Sequence, residues 1–381
     1  MKRNYALDNT ALMGEVQLPL SGRYGTRIGS KDEIPHGALD LGDGLVRFAM
    51  YAPTAQSVQL KVLGETYDLE RQDDGNWVKE VKLNKRGFIN IDFYVDGNAI
   101  INPMALIGYG SSAPINFLEL AGEDDFYLLK DVPHGSISEE YYYSTVTNCM
   151  RCMEIYLPAE YYENPEKEYP TLYLQNGHGE NEKCWIYQGK ANFILDNLIA
   201  EGKAEPMIIV MNNGMVQIQG EEGRYLNTNL LGEVLIRDCI PYVEKRYRVK
   251  KDPSYRAMAG LSMGSYQASF TVLSHPEVFA YDGAFSGFIQ NPPVLRRGEE
   301  THLKALEDPE KFKKDFKVIF RGCGDEDKIV LPCFAEDEEL MAKHHLSPEE
   351  YPGHVVKIYK GTHEWNVWRE CLRDFAQLLF K

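Results

Sequence analysis

Ser262 stands in the run AGLSMGS at 259–265, with a glycine two residues before it and another two after. A serine flanked in this way can act as a nucleophile. The small neighbours let an apolar strand turn sharply into a helix, so the hydroxyl is held out above a sheet and the next amide, on Met263, can face an oxyanion. The surroundings fit that demand: AMAGL at 257–261 reads as a buried strand, and 265–274 carries a helical period. The bland alternative is a glycine-rich strand-to-helix turn with no chemistry.

Such a serine needs a base, and the base needs a carboxylate to orient it. In a strand–turn–helix setting the chain order is serine, acid, histidine. His363 lies in KGTHEW at 360–365, between the last apolar strand (355–359) and the last helical segment (364–380). Sites of this kind form at the carboxyl ends of strands. Other downstream histidines fit less well. His275 follows too closely, and His354 opens the last strand at its wrong end. His302, His344 and His345 fall in charged segments that read as solvated. The acid is expected after the strand at 317–320, where RGCGDEDK at 321–328 reads as a loop offering Asp325, Glu326 and Asp327. Composition does not choose among the three.

A second oxyanion amide is expected from the loop after an early strand. LQNGHGE at 174–180 supplies Gly177 and Gly179 there, with His178 between them as a backbone donor. His178 precedes the serine, which argues against its being the base. Trp185 and Tyr187 follow this loop, and Trp365 follows His363 by two residues. Gly177, Gly179, Trp185, Gln188 and Trp365 form the candidate substrate-binding set, with Trp185 and Tyr187 placed to stack on a sugar or an aromatic acyl group and Trp365 to wall the site. Core burial is an equal reading for each ring. The chemistry requires no metal and no organic cofactor.

Two kinds of structure are predicted to carry these groups. Short alternating runs at 45–51, 57–62, 76–83 and 88–95, separated by turn residues, predict a small all-β sandwich of the immunoglobulin-like kind. Residues 102–135, punctuated by Pro103, Gly108, Gly110, Pro114, Pro133 and Gly135, read as a linker. Beyond them, strands near 137–146 and 150–157 precede apolar strands at 171–174, 207–211, 257–261, 281–285, 317–320 and 355–359. Helical periods near 189–200, 230–247, 265–274 and 364–380 alternate with these. That alternation predicts a mostly parallel sheet with helices on both faces. A length of 381 residues fits two domains, drawn here as 1–130 and 131–381. Residues 1–35 are polar, lack a period and read as irregular.

The charge balance, 41 basic against 57 acidic residues, argues against nucleic acid and anionic membrane surfaces as partners. No apolar run approaches the roughly eighteen residues of a membrane-spanning helix. Seven cysteines leave at least one thiol unpaired, and the C-x-x-C of Cys149 and Cys152 lacks the companions of a zinc site. MKRNYALDNT has no apolar core of a signal peptide, so a cytoplasmic location is expected, or a secreted one if a leader has been removed. A homodimer is an open alternative to the monomer.

Taken together, the motifs resemble the esterase-D-like α/β-hydrolases of carbohydrate esterase family one, which includes feruloyl esterases, acetyl xylan esterases and relatives of enterochelin esterase. The likeness covers most of 140–381. It is carried by the strand and loop at 171–180, by 188–203, 206–214 and 235–244, and most specifically by RAMAGLSMG at 256–264 and GTHEWNVWR at 361–369. The N-terminal half is similar to the immunoglobulin-like, glycogen-binding-type module that precedes such esterases, through APTAQSV at 52–58 and DFYVDG at 92–97. The resemblance implies Ser262 as nucleophile, His363 as base and Asp327 as acid with Asp325 in reserve. The implied oxyanion amides lie at Met263 and around His178. Three positions depart from the family pattern: Asn176-Gly177 in place of His-Gly, Ser265 in place of a second glycine, and Gly361-Thr362-His363-Glu364 in place of Gly-Gly-His-Asp. The implied activity is hydrolysis of feruloyl or acetyl esters on plant-wall oligosaccharides. A siderophore or small-ester esterase, an acyltransferase of the mycolyl-transferring branch and an inactive glycan-binding protein are the rivals.

Overall fold

The computed structural model describes residues 37–122, 126–291 and 300–381, so the irregular segment expected at 1–35 lies outside the described residues. The chain divides between Lys130 and Asp131 into two compact units.

Antiparallel pairing builds the first unit. One sheet runs in the order Ala38–Gly42, Leu45–Tyr51, Asn76–Lys82, Glu70–Arg71. The other runs Glu65–Asp68, Val58–Val62, Gly87–Val95, Ala113–Leu120, Leu106–Gly110. Alternation in the sequence decides which side chains meet. Val46, Phe48 and Met50 of one sheet and Leu60, Ile91 and Phe93 of the other share one apolar core. Trp77 belongs to that core, and its indole donates to Ala52 O at 2.9 Å. The linker expectation at 102–135 needs correction, because Leu106–Gly110 and Ala113–Leu120 complete the second sheet. Pro114 lies at the start of its strand, where a missing N–H is tolerated.

The second unit is an α/β domain. In chain order its strands are β1 (Ser136–Ser144), β2 (Cys149–Leu157), β3 (Thr171–Gln175), β4 (Ile208–Asn212), β5 (Arg256–Leu261), β6 (Tyr281–Phe285), β7 (Val318–Gly324) and β8 (His354–Tyr359). They form one sheet ordered β1-β2-β4-β3-β5-β6-β7-β8. The first two pairings are antiparallel, and the rest are parallel. β3 to β6 are buried throughout, which is why they read as continuous apolar runs. Four helices bear on the site: α1 (Ala191–Ala200), α2 (Met263–Ser274), α3 (Leu331–Lys343) and α4 (Trp365–Ala376). Phe375 of α4 packs over Gly283 of β6. Met258 and Ile319 share a separate core with Val234 and Val243, from the helical segment expected at 230–247. That segment contains a π turn at Leu235–Cys239.

Further differences from the sequence reading concern local pattern. β7 runs on to Gly324, so Arg321 to Gly324 are strand and the acidic loop begins at Asp325. A hairpin at Gln217–Gly220 and Gly223–Leu226 and the helix α3 carried no recognisable period. Among the described residues no helix is long and apolar enough to cross a membrane.

Candidate active site

β5 ends at Leu261, and α2 starts at Met263, which leaves Ser262 alone in the turn. Its φ of 52° and ψ of −117° lie where few residues other than glycine settle. Strain of this kind persists only where the surroundings over-determine it, and here both neighbouring glycines do so. A Cβ on Gly260 would come within 2.5 Å of the Gly264 backbone, and one on Gly264 within 2.5 Å of Asn176 O. Strand and helix therefore approach through the positions where only hydrogen fits. Ser265, where the family pattern has glycine, turns its hydroxyl back onto Ser262 O at 2.6 Å.

The side chains expected to work together are brought together. His363 Nε2 lies 2.9 Å from Ser262 Oγ, and His363 Nδ1 lies 2.7 Å from Asp327 Oδ2. His363 is part-exposed, whereas Asp327 is buried. Burial alone would push the Asp327 carboxyl up. The bonds from His363 and Val330 outweigh it and hold the group below its ordinary value. Its Oδ1 accepts from the amides of Ile329 and Val330, each at 3.1 Å, so the carboxylate is fixed on both oxygens. Behind the imidazole, Trp368 meets His363 edge-on at 5.1 Å, and Trp365 meets Trp368 at 5.2 Å.

Gly177, His178 and Gly179 form the loop after β3. Gly177 N–H donates to Glu180 Oε2 at 2.8 Å, and Gly179 N–H meets Met215 Sδ at 3.2 Å. Of the three successive amides, that of His178 is the one not engaged by another described residue, and the Met263 amide likewise stands at the start of α2 without a described partner. Asn176, in place of the family's histidine, has a structural task. Its Oδ1 accepts from Gly214 N at 2.8 Å, while Gly214 O accepts from Gln267 Nε2 at 2.9 Å. The loop after β4 is thereby clamped to both β3 and α2.

Several expectations are corrected. Trp185 and Gln188 are 1% exposed and Trp365 is 4% exposed, so none presents a face to a ligand. The Trp185 indole donates to Gln175 O at 2.8 Å and packs edge-on against Trp365 at 5.1 Å. Gln188 O receives the Arg369 guanidinium at 2.9 Å. These residues support the site from beneath. Gly177 and Gly179 are buried too and act through the turn they form, while the His178 side chain is exposed. His302, expected in solvent, is buried with its Nε2 2.7 Å from Ile289 O. Glu180 was missed. The signal for it was a carboxylate closing a short glycine-rich loop.

The Esterase family model matches residues 144–377. An endo-1,4-beta-xylanase/feruloyl esterase of Xylanibacter ruminicola is 35% identical over 355 residues, 89% of this chain and 45% of that protein. The chain thus spans under half the length of that relative, and 54% of the next curated relative it matches, from Corynebacterium glutamicum. Among solved structures, the ferulic acid esterase of Anaeromyces mucronatus in complex with ferulic acid aligns with a TM-score of 0.56 at 22% identity, covering 69% of this chain and 98% of that one. The enterobactin esterase of Shigella flexneri in the presence of 2,3-di-hydroxy-N-benzoyl-serine aligns with a TM-score of 0.62 at 17% identity, covering 90% and 96%. At these identities the structures establish the shared α/β-hydrolase fold.

Proposed function

The chain belongs to the Esterase family, and on that premise we propose that it is a serine carboxylic-ester hydrolase that removes feruloyl or related hydroxycinnamoyl groups from plant-wall oligosaccharides. The observation that carries this reading is the unbroken relay from Ser262 Oγ through His363 to Asp327, at 2.9 and 2.7 Å. His363 takes the serine proton as Oγ attacks the ester carbonyl, and Asp327 holds the tautomer that makes Nε2 the acceptor. The amides of Met263 and His178 receive the oxyanion. His363 then returns the proton to the departing sugar oxygen. Water hydrolyses the acyl-enzyme along the same path, with His363 again as base. The acyl group is assigned from the 35% identity to the Xylanibacter ruminicola protein, and the acidic net charge suits a neutral ester.

The test is hydrolysis of methyl ferulate and of p-nitrophenyl acetate by wild type and Ser262→Ala. Wild type should cleave both, and the variant should lose on the order of 10⁶ in kcat. Cleavage of acetate alone would move the acyl group to acetyl. Retained activity in the variant would end the reading. One observation favours a second substrate class: the enterobactin esterase aligns over both units, whereas the ferulic acid esterase aligns over about the length of one. A catecholate siderophore ester belongs in the same assay.

A further inference from the structure

Glu180 closes the 177–180 turn and is 9% exposed. The turn is bonded reciprocally. Gly177 N–H donates to Glu180 Oε2 at 2.8 Å, and Glu180 N–H donates to Gly177 O at 3.3 Å. The Trp365 side chain, two residues beyond His363, lies close enough to the same carboxyl to pull it down against the push of burial. A Cβ on Gly177 would lie 3.1 Å from Glu180 Oε2 and 3.5 Å from Ser262 Cβ, so the amide held by this carboxyl stands beside the nucleophile.

We propose that Glu180 is a positioning residue of the oxyanion site, tying the 177–180 turn to the helix that follows His363 and leaving the His178 amide as the donor this loop offers to the tetrahedral intermediate. The inference rests on the ester-hydrolase reading. The Gly177 amide is taken by Glu180 and the Gly179 amide by Met215, which leaves the amide between them. With the amides on either side held, the His178 N–H can turn only by a flip of its own peptide plane about ψ of Gly177 and φ of His178, the two soft dihedrals that flank it. The Gly177 amide bonds one oxygen of the Glu180 carboxyl, and the Trp365 side chain stands against the same group. Glutamine has one acceptor oxygen and presents an N–H₂ in place of the other. Aspartate is one methylene too short to span the same two partners. Burial is unfavourable for the charged form and pushes the group up to about 7, against the pull of its bond to Gly177 and of the Trp365 side chain. A carboxyl in such a place is stable only while those contacts are made.

The test uses the full chain as wild type, Ser262→Ala, Glu180→Ala and Glu180→Gln. Steady-state kinetics on methyl ferulate are combined with the affinity for a phenylboronic acid, which adds to the serine oxygen as a tetrahedral anion, and for free ferulate, which does not. Removing one oxyanion donor lowers kcat on the order of 10² to 10³, and Glu180→Ala should approach the lower figure with KM changed by less than about threefold. Its boronate affinity should fall by a similar factor while ferulate binding holds. Glu180→Gln, which preserves volume and one bond, should fall between Glu180→Ala and wild type, and it decides the matter should the alanine variant not fold. A folded Glu180→Gln with wild-type kcat and boronate affinity overturns the proposal, as does equal weakening of boronate and ferulate. If Ser262→Ala stays active, the ester-hydrolase reading has failed, whatever Glu180 does.

Discussion

Asp327 and His363 meet at 2.7 Å across 36 residues of chain, while Asp325, two positions earlier, points elsewhere: its Oδ1 accepts the Gly361 amide at 2.9 Å. The three acidic residues of this loop are thus not equivalent. Asp325 braces the loop that carries His363, and Glu326 donates its own amide to Gly361 O at 2.9 Å. Replacing the orienting acid by its amide leaves the geometry but favours the wrong tautomer, at a cost of about 10⁴ in kcat in the best-studied triad. Asp327→Asn should lose activity on that scale with near-wild-type stability. Asp325→Asn should lose less than about tenfold, since its bond is to a backbone amide and is remade by an amide oxygen. Paired kcat measurements on p-nitrophenyl acetate decide it, and a larger loss in Asp325→Asn would reverse the assignment.

The elbow makes a second prediction. Gly264 has no room for a methyl group, because its Cβ would sit 2.5 Å from Asn176 O and 2.9 Å from Gln175 O. Both contacts are backbone, so neither can rotate away. Gly264→Ala should destabilise the protein by about 3 kcal/mol, the upper part of the range for overpacking, and should lower kcat by displacing the loop after β3. Gly202→Ala is a useful comparison. Gly202 has open space around it but a φ of +68°, so its cost is backbone strain alone. Urea titration of the three proteins should rank wild type above Gly202→Ala and Gly202→Ala above Gly264→Ala.

The serine and the histidine were legible because each lies at a break between an apolar strand and a helix. The choice of Asp327 over Asp325 was not legible without the resemblance, since it depends on which way two neighbouring side chains leave a loop. The Trp185 and Trp365 rings misled for a related reason. Position in the chain places them near the site, but only packing shows that they lie under it. α3 was hidden by its own core. Its buried residues include Phe334, Asp337 and Met341, so a carboxylate occupies a position where the helical pattern asks for an apolar side chain. Strands in the first unit were read where side chains alternate, as in Leu45–Tyr51. Ala113–Leu120 was missed because Pro114 and the nearby glycines look like loop, and its last five residues are buried in a row instead of alternating.

The same Asp337 yields a third prediction. Its carboxylate lies 2.8 Å from the Arg321 guanidinium, both side chains fully buried, and it also accepts the amides of Ile289 and Gln290. Those amides belong to the segment after β6, where a Cβ on Gly287 would fall 3.3 Å from Ser262 O. Truncating one partner of a buried pair strands the other charge, which costs about 3–5 kcal/mol. Glu338 Oε1, 3.2 Å from Arg321, offsets part of that. Asp337→Ala should therefore lose about 3 kcal/mol in urea titration. Arg321→Met with Asp337→Leu should recover some of it. Should the single variant prove as stable as wild type, the pair does not hold this segment.

The last prediction concerns pH and is independent of catalysis. Asp282 of β6 is fully buried, and desolvation pushes its carboxyl up to about 7, against the opposing bond from Ser269 Oγ at 2.7 Å and the charge of Arg321. In the unfolded chain the same group titrates near 4. Between those two values the folded protein keeps a proton that the unfolded chain has released, so unfolding is favoured as pH rises through that window. Glu154 and Glu180, each also raised to about 7 by burial, and Asp337, raised as well, act in the same direction, while His302, lowered by burial, acts against them. Stability should fall as pH is raised from about 4 towards 7 and level off above the folded value. Asp282→Asn removes one of these four carboxyl contributions, so its stability should fall less steeply over the same range, whatever its absolute value. Urea titrations of both proteins at several pH values between 5 and 8 measure the two slopes. Parallel curves would mean that Asp282 stays ionised inside the fold, in which case the Arg321 charge, and not burial, governs it.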